Sequence, residues 1–164
     1  MSDKKPGFFQ ENQQTVVYAG LTALVMVIYY QTIGFNFINL DDNLYVFGNQ
    51  IVSSGVNKQS VQWAFTQFHA ANWHPLSWIS HMIDVEFFGQ NPGGHHATNV
   101  VFHILNTILA FTVFQRMTGS FWKSAIVAAL FAVHPAHVES VAWVSERKDV
   151  LSTFFWLLTM LAYI

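Results

Sequence analysis

Two long stretches of this sequence contain no Asp, Glu, Lys or Arg, and they restrict the chain to folds that bury most of its surface or place it in lipid. The first runs from Asn12 to Leu40 and the second from Phe87 to Gln115. A helix crosses the hydrocarbon layer of a bilayer with about 20 predominantly apolar residues. Only 10% of the 164 residues are charged, whereas soluble domains carry about a quarter. We therefore expect an all-α integral membrane protein.

Four apolar segments are candidates for membrane-spanning helices, and they comprise residues 15–38, 97–116, 121–134 and 150–164. The first has no small-x-small cleavage site after it and is longer than the apolar core of a signal peptide, which favours an uncleaved span. The third is short and is broken by His134-Pro135, so a tilted or re-entrant segment is the alternative. The fourth stops without a polar cap, which suggests a fragment of a longer protein.

The basic residues indicate an orientation. Lys4 and Lys5 precede the first span, and Arg116 and Lys123 flank the turn after the second, as expected for cytoplasmic segments. Three basic residues fall on the other side, namely Lys58, Arg147 and Lys148. The number of basic residues on each side is therefore weak evidence, and the alternation of spans supports the orientation more strongly. The resulting domain plan has a cytoplasmic tail (1–14), a transmembrane domain (15–164) and two outer loops (39–96 and 135–149).

Two stretches within residues 39–96 have apolar residues at helical spacing. The first contains Val61, Ala64, Phe65 and Phe68, and the second contains Leu76, Ile79, Ile83 and Phe87. Two short amphipathic helices at the bilayer surface would bury these residues. Packing against the membrane spans is the alternative.

Composition excludes several classes of function. The formal net charge of -2 argues against a nucleic-acid partner. The absence of cysteine excludes disulfides, cysteine-ligated zinc and thiol nucleophiles.

The acidic pair Asp41-Asp42 directly follows the first span. Adjacent carboxylates suit a general base for a hydroxyl acceptor, the ligands of a divalent metal ion, or recognition of a polar substrate. A solvated acidic stop at the end of a helix is the alternative.

A polar stripe runs along the second span, where His96, Asn99, His103 and Asn106 share one helical face. Polar groups at membrane depth usually face a partner helix or a water-filled cavity. No zinc site is expected here, because adjacent His95 and His96 diverge on a helix and the usual pair at i and i+4 is missing.

Residues 134–149 form the densest group of ionisable side chains. Arg147 and Lys148 suit a phosphate, and Glu139 or His137 could transfer a proton. His134 lies in the same group. An ordinary charged loop between two spans is the alternative.

These motifs resemble the transmembrane and tetratricopeptide-repeat O-mannosyltransferase family, over roughly residues 39–164. The likeness is carried by Asp41-Asp42, the run His74-Pro75-Leu76-Ser77, and residues 88–96 (FGQNPGGHH), 99–106 (NVVFHILN) and, most specifically, 129–151 (ALFAVHPAHVESVAWVSERKDVL).

The resemblance implies a partial fold of the GT-C glycosyltransferase type, with a catalytic pocket on the outer or lumenal side. It implies transfer of a sugar, typically mannose, from a polyprenyl- or dolichyl-phosphate donor to a hydroxyl acceptor such as protein serine or threonine. It also implies further spans and tetratricopeptide repeats, and for this chain a multi-pass location in a bacterial inner (plasma) membrane with the active side outward.

The implied roles fall on residues already noted. Asp41 or Asp42 would take the acceptor proton, Glu139 would orient acceptor or sugar, and a divalent ion, if one is used, would bind the acidic pair. Arg147, Lys148 and His74 would hold the donor phosphate, and the remaining polar residues would support them: His96, Asn99, His103, His134 and His137. A non-catalytic membrane anchor or assembly protein is the alternative, and a proton or metal transporter using the polar stripe is a third.

Overall fold

The computed structural model describes residues 12–164, and this part of the chain is helical throughout, without a β-strand. Its eight α-helices are α1 (Gln13–Tyr29), α2 (Gln50–Ser53), α3 (Lys58–Thr66), α4 (Pro75–Phe88), α5 (Pro92–Thr118), α6 (Phe121–Val133), α7 (His137–Ala142) and α8 (Arg147–Tyr163). The expected cytoplasmic tail, residues 1–14, lies outside the described residues except at its end, and Lys4 and Lys5 lie outside them entirely.

Helix α5 is the central element and packs against α1, α6 and α8. It begins at Pro92, where Asn91 caps the helix by accepting a hydrogen bond from the amide of Gly93. It ends at Gly119, whose φ of 66° and ψ of 4° form the left-handed cap that glycine adopts without strain. Gly93 also allows a close approach, because a Cβ there would lie 2.6 Å from the carbonyl oxygen of Ile33.

Two helical segments have the length and apolarity needed to cross a bilayer, namely Gln13–Gly34, which includes a 3-10 turn after α1, and Pro92–Thr118. They correspond to the first two expected spans. The other two are also helices, but α6 has 13 residues and α8 has 17, so their passage through the membrane stays a prediction.

The two segments expected outside the membrane meet at one end of the helix bundle. The amide of Ser145 donates a hydrogen bond to Asp42, and the side chain of Asn99 donates one to the carbonyl of Trp143. The turn at Gly119 lies at the other end of α5. The alternation of the spans and their orientation stay predictions.

The stretches expected to form surface helices are α3 and α4, and each buries one face. Ala64 of α3 and Trp78 and Met82 of α4 pack in a core with Tyr45 and Val144. Other apolar side chains of the same helices are exposed, with Phe87 at 77% and Phe68, just after α3, at 78%. The two helices therefore pack into a shared core, and contact of their exposed faces with the bilayer surface stays a prediction.

Candidate functional site

Arg147 is the centre of a buried polar network at the end of the bundle where the two outer segments meet. Its guanidinium donates to Asp84 at 2.7 Å, to Ser80 at 2.7 Å and to the carbonyl of His95 at 2.8 Å. Its Nε donates to Asn99. The side chain is fully buried, so it has no surface open to a ligand. The assignment of Arg147 to a donor phosphate therefore stays a prediction that its burial does not support.

Asp42 is also buried and holds two segments together. One carboxylate oxygen accepts from the amide of Ile38 at 2.8 Å, and the other accepts from the amide of Ser145 at 2.9 Å, 103 residues away. Asp42 thus joins the segment after the first span to the segment before α8. Asp41, its neighbour, is exposed. The two carboxylates therefore do not share one site, and Asp41 is the one that an acceptor or a metal ion could reach.

A cleft of about 390 Å³ opens between the start of α4 and the start of α8. Two of the expected phosphate ligands, His74 and Lys148, line it together with Asp149. The rest of its wall is largely apolar and consists of Trp73, Pro75, Leu76, Ser77, Leu151, Ser152 and Phe155. The cleft thus combines a cationic group with a surface suited to a hydrocarbon chain.

A strained turn just before His74 positions this residue at the cleft. His69 and Asn72 exchange backbone hydrogen bonds, which forces Ala70 and Ala71 to φ values of 48° and 60°. Alanine rarely adopts this left-handed region, at a cost of about 1–3 kcal/mol per residue. The Nδ2 of Asn72 donates to the hydroxyl of Tyr45 at 2.9 Å, which ties the turn to the core.

The positive charge of Lys148 at the cleft is partly neutralised by a neighbouring carboxylate. The Nζ of Lys148 lies 2.6 Å from a carboxylate oxygen of Glu146, and both side chains are partly exposed. Burial, followed by the charge of Lys148, lowers the pKa of His74 below its usual 6.5. His74 is therefore neutral at pH 7 and can donate one hydrogen bond, while Lys148 supplies the positive charge.

The polar stripe of α5 points into the protein, which confirms its expected orientation. All four side chains are at most 1% exposed. Asn99 contacts Arg147 and Trp143, His103 donates to the carbonyl of Ala132, and Asn106 donates to that of Val150. His96 packs edge-on against Phe35. These contacts are those of polar links between helices.

The remaining expected residues do not line the cleft. His134 and Glu139 are exposed, and the ring of His137 lies between those of Phe131 and His134. His137 and Asp149 line a second, small cavity of about 30 Å³, where Ser140 donates to Asp149 at 2.9 Å. A proton-transfer role for His137 or Glu139 stays a prediction.

Sequence reasoning missed Asp84 and His81 on α4. Both are buried, and His81 is fully so. Burial, together with the charges of Arg147 and His95, lowers the pKa of His81 well below 6.5, so the ring is neutral. The signal was present as two polar residues at i and i+3 within an apolar helix, a spacing that places them on one face. Among residues 12–164, the group with metal-ligand geometry is His81, Asp84 and His95 rather than the acidic pair.

This chain is similar to several proteins that are named protein O-mannosyl-transferases. The Drosophila melanogaster protein O-mannosyl-transferase Tmtc1 is 32% identical over 152 residues, which cover 88% of this chain and 18% of that protein. The Mus musculus protein O-mannosyl-transferase TMTC1 is 37% identical over 93 residues, covering 56% of this chain and 10% of the relative. The Homo sapiens protein O-mannosyl-transferase TMTC2 is 35% identical over 94 residues, covering 57% and 11%.

The chain thus spans less than a fifth of the length of these relatives. No family model and no solved structure matches it. The relatives nevertheless agree with the family inferred from the motifs, and the shared region extends over most of the chain. Over that region, the chain belongs to the transmembrane and tetratricopeptide-repeat O-mannosyltransferase family.

Proposed function

We propose that this chain forms the donor-binding end of a membrane glycosyltransferase. In the reaction a sugar, mannose by analogy with the relatives' names, passes from a polyprenyl-phosphate donor to a hydroxyl acceptor such as protein serine or threonine. The supporting observation is the cleft, in which Lys148 and His74 adjoin the apolar side chains of Leu76, Leu151 and Phe155. A ligand with a phosphate head and a hydrocarbon chain matches both parts of this surface.

The cleft residues would act on the leaving phosphate. As the bond between the anomeric carbon and the phosphate oxygen breaks, negative charge grows on that phosphate. The Lys148 ammonium and the neutral ring of His74 would donate hydrogen bonds to it, and donors fixed in place before reaction are what stabilise such a transition state. To do so, the Lys148 ammonium must leave the carboxylate of Glu146 and bind the phosphate instead.

The acceptor proton requires a carboxylate at the same end of the bundle. Asp41 is the exposed member of the acidic pair, and Asp42 anchors it through the bond to Ser145. Asp41 would therefore act as general base, with Asp42 in a positioning role and Glu139 orienting acceptor or sugar. We assign no metal ion to the pair, because both oxygens of Asp42 already accept backbone amides.

We further propose that the cleft lies on the outer face of a bacterial inner membrane and that the N-terminus lies in the cytoplasm. A reporter fused after Gly94 should then report the outer compartment, and one fused at Thr118 should report the cytoplasm. A cytoplasmic Gly94 would put the cleft on the wrong side for an outward-facing donor and would overturn the mechanism.

Lipid binding tests the cleft directly. The chain is reconstituted in nanodiscs and its binding of polyprenyl phosphate is measured by native mass spectrometry. Charge-assisted hydrogen bonds contribute about 1.5–3 kcal/mol, so Lys148→Ala should weaken binding by about tenfold or more. The matched control is Lys123→Ala, which changes an exposed lysine in the first turn of α6, just after the Gly119 turn, and this variant should bind normally. Equal binding by both variants, or equal binding of the uncharged polyprenol, would contradict the proposal.

A non-catalytic anchor or assembly protein is the second candidate, because two of the expected site residues, Asp42 and Arg147, are buried and engaged in contacts within the protein. Sugar transfer from a radiolabelled polyprenyl-phosphate mannose to a serine-containing peptide separates the two functions. Specific lipid binding without transfer would favour the anchor.

A further inference from the structure

We propose that His81, Asp84 and His95 form a binding site for a divalent transition-metal ion such as Zn²⁺, beyond the glycosyltransferase function. One ligand atom from each residue lies within 4.8 Å of the other two. Two imidazoles and one carboxylate form a donor set that suits zinc and its neighbours in the first transition series.

The fold places these three side chains together from two helices. His81 and Asp84 are three residues apart on α4 and so share a face. His95 lies in the first turn of α5, and the two helices are joined by a short connection at residues 89–91. All three residues are buried, at 0%, 3% and 0% exposure.

His81 supplies the independent observation. Neither of its ring nitrogens has a hydrogen-bond partner in the described part of the chain, although the residue is fully buried. A buried polar group without a partner is costly, and native proteins rarely leave one. A metal ion would bind a lone pair of the His81 ring, whose nitrogens have no hydrogen-bond partner among the described residues.

His95 is oriented in the manner of a metal ligand. Its Nε2 donates to the carbonyl oxygen of Gly89 at 3.1 Å, so in the neutral ring the lone pair is on Nδ1. That Nδ1 lies 3.5 Å from a carboxylate oxygen of Asp84 and has no hydrogen-bond partner among the described residues. A backbone carbonyl that fixes the tautomer of a ligating histidine is the usual outer-shell arrangement.

Arg147 limits the affinity of the site. Its guanidinium lies 2.7 Å from a carboxylate oxygen of Asp84, so it opposes a second positive charge at that position. The guanidinium is also held by Ser80, Asn99 and the carbonyl of His95, so it stays in place if Asp84 turns towards a metal ion. The ion would link α4 to α5 next to Arg147, the residue before Lys148. It would thereby make one wall of the cleft more rigid.

Zinc titration of the purified, untagged chain after chelator treatment tests the site. We expect about one zinc per chain, a visible absorption spectrum on cobalt substitution, and a zinc-dependent rise in the thermal midpoint. His81→Leu should lose all three signals, with the dissociation constant raised at least about tenfold. His134→Gln, an exposed histidine outside the group, is the matched control and should keep them.

Stability without metal separates loss of the site from loss of the fold. Since His81→Leu removes two buried polar atoms without partners, the metal-free variant should be at least as stable as the metal-free wild type. His95→Gln is a second variant that should also lose zinc. No bound zinc in the wild type, or zinc binding unchanged in both variants, would overturn the proposal and would leave His81 to an internal water molecule.

Discussion

Asp84 and Arg147 form a buried ion pair of 2.7 Å across 63 residues of sequence, where α4, α5 and α8 meet. Removing one member of such a pair leaves a buried charge without its partner, which typically costs about 3–5 kcal/mol. Asp84→Asn should therefore sharply lower the unfolding midpoint of the chain in detergent.

The double variant Asp84→Leu, Arg147→Met should recover part of that loss, because an apolar pair of similar volume removes both charges together. A double variant less stable than either single variant would show that the remaining partners of Arg147, Ser80 and Asn99, matter more than the ion pair.

Substitutions of Asp41 and of Asp42 should differ in their effects on stability and on sugar transfer. Asp42→Asn loses an acceptor for one of two buried amides and should lower the free energy of unfolding by about 2 kcal/mol. Asp41→Asn changes an exposed side chain and should stay within about 0.5 kcal/mol of the wild type. Transfer should nevertheless be lost in Asp41→Asn. Full activity in that variant, measured in membranes with the labelled donor, would exclude Asp41 as the base.

Glu146 competes with the donor phosphate for Lys148. Glu146→Gln should free the ammonium and increase the affinity for polyprenyl phosphate by up to about fivefold, in line with the 0–1 kcal/mol of a partly exposed ion pair. Glu139→Gln makes the same change in net charge at an exposed position. Equal gains in the two variants would point to net charge rather than to the contact with Lys148.

Donor binding should strengthen as the pH falls from 7.5 towards 5.5. Burial and Lys148 lower the pKa of His74 in the free protein, and Glu146 and Asp149 oppose them in part. A bound phosphate raises that pKa, so binding takes up a proton and gains affinity below the usual 6.5. A sugar-phosphate lipid is a diester that does not titrate in this range. His74→Gln should remove the pH dependence, and a dependence that persists would assign it to another group.

The apolar runs were sufficient to predict the positions of the long helices, because a run depends on local spacing. The bounds of α6 and α8 lie within three residues of those expected, whereas α1 ends nine residues earlier and α5 begins five residues earlier, and the short helices α2 and α7 were not predicted. The inward face of the polar stripe could also be predicted, because an Asn or His exposed to lipid is costly.

Pairing between distant residues could not be predicted in the same way. Arg147 and Lys148 are adjacent basic residues, and residue type alone suggests the same role for both. The structure separates them because Asp84, far away in sequence, binds Arg147 and leaves Lys148 at the cleft. Asp41 and Asp42 are separated for the same reason, since only one faces the amide of Ser145.

The long separation between Asp42 and Ser145 also affects biosynthesis. Residues 39–96 are synthesised well before Ser145 and Arg147 leave the ribosome. Until then Asp42 has one of its two amide partners, and the Arg147 guanidinium cannot reach Asp84. Water must solvate both carboxylates during that interval. The polar end of the bundle therefore closes only after the start of α8 has been made, so a ribosome that stalls within α6 would leave both carboxylates in contact with water.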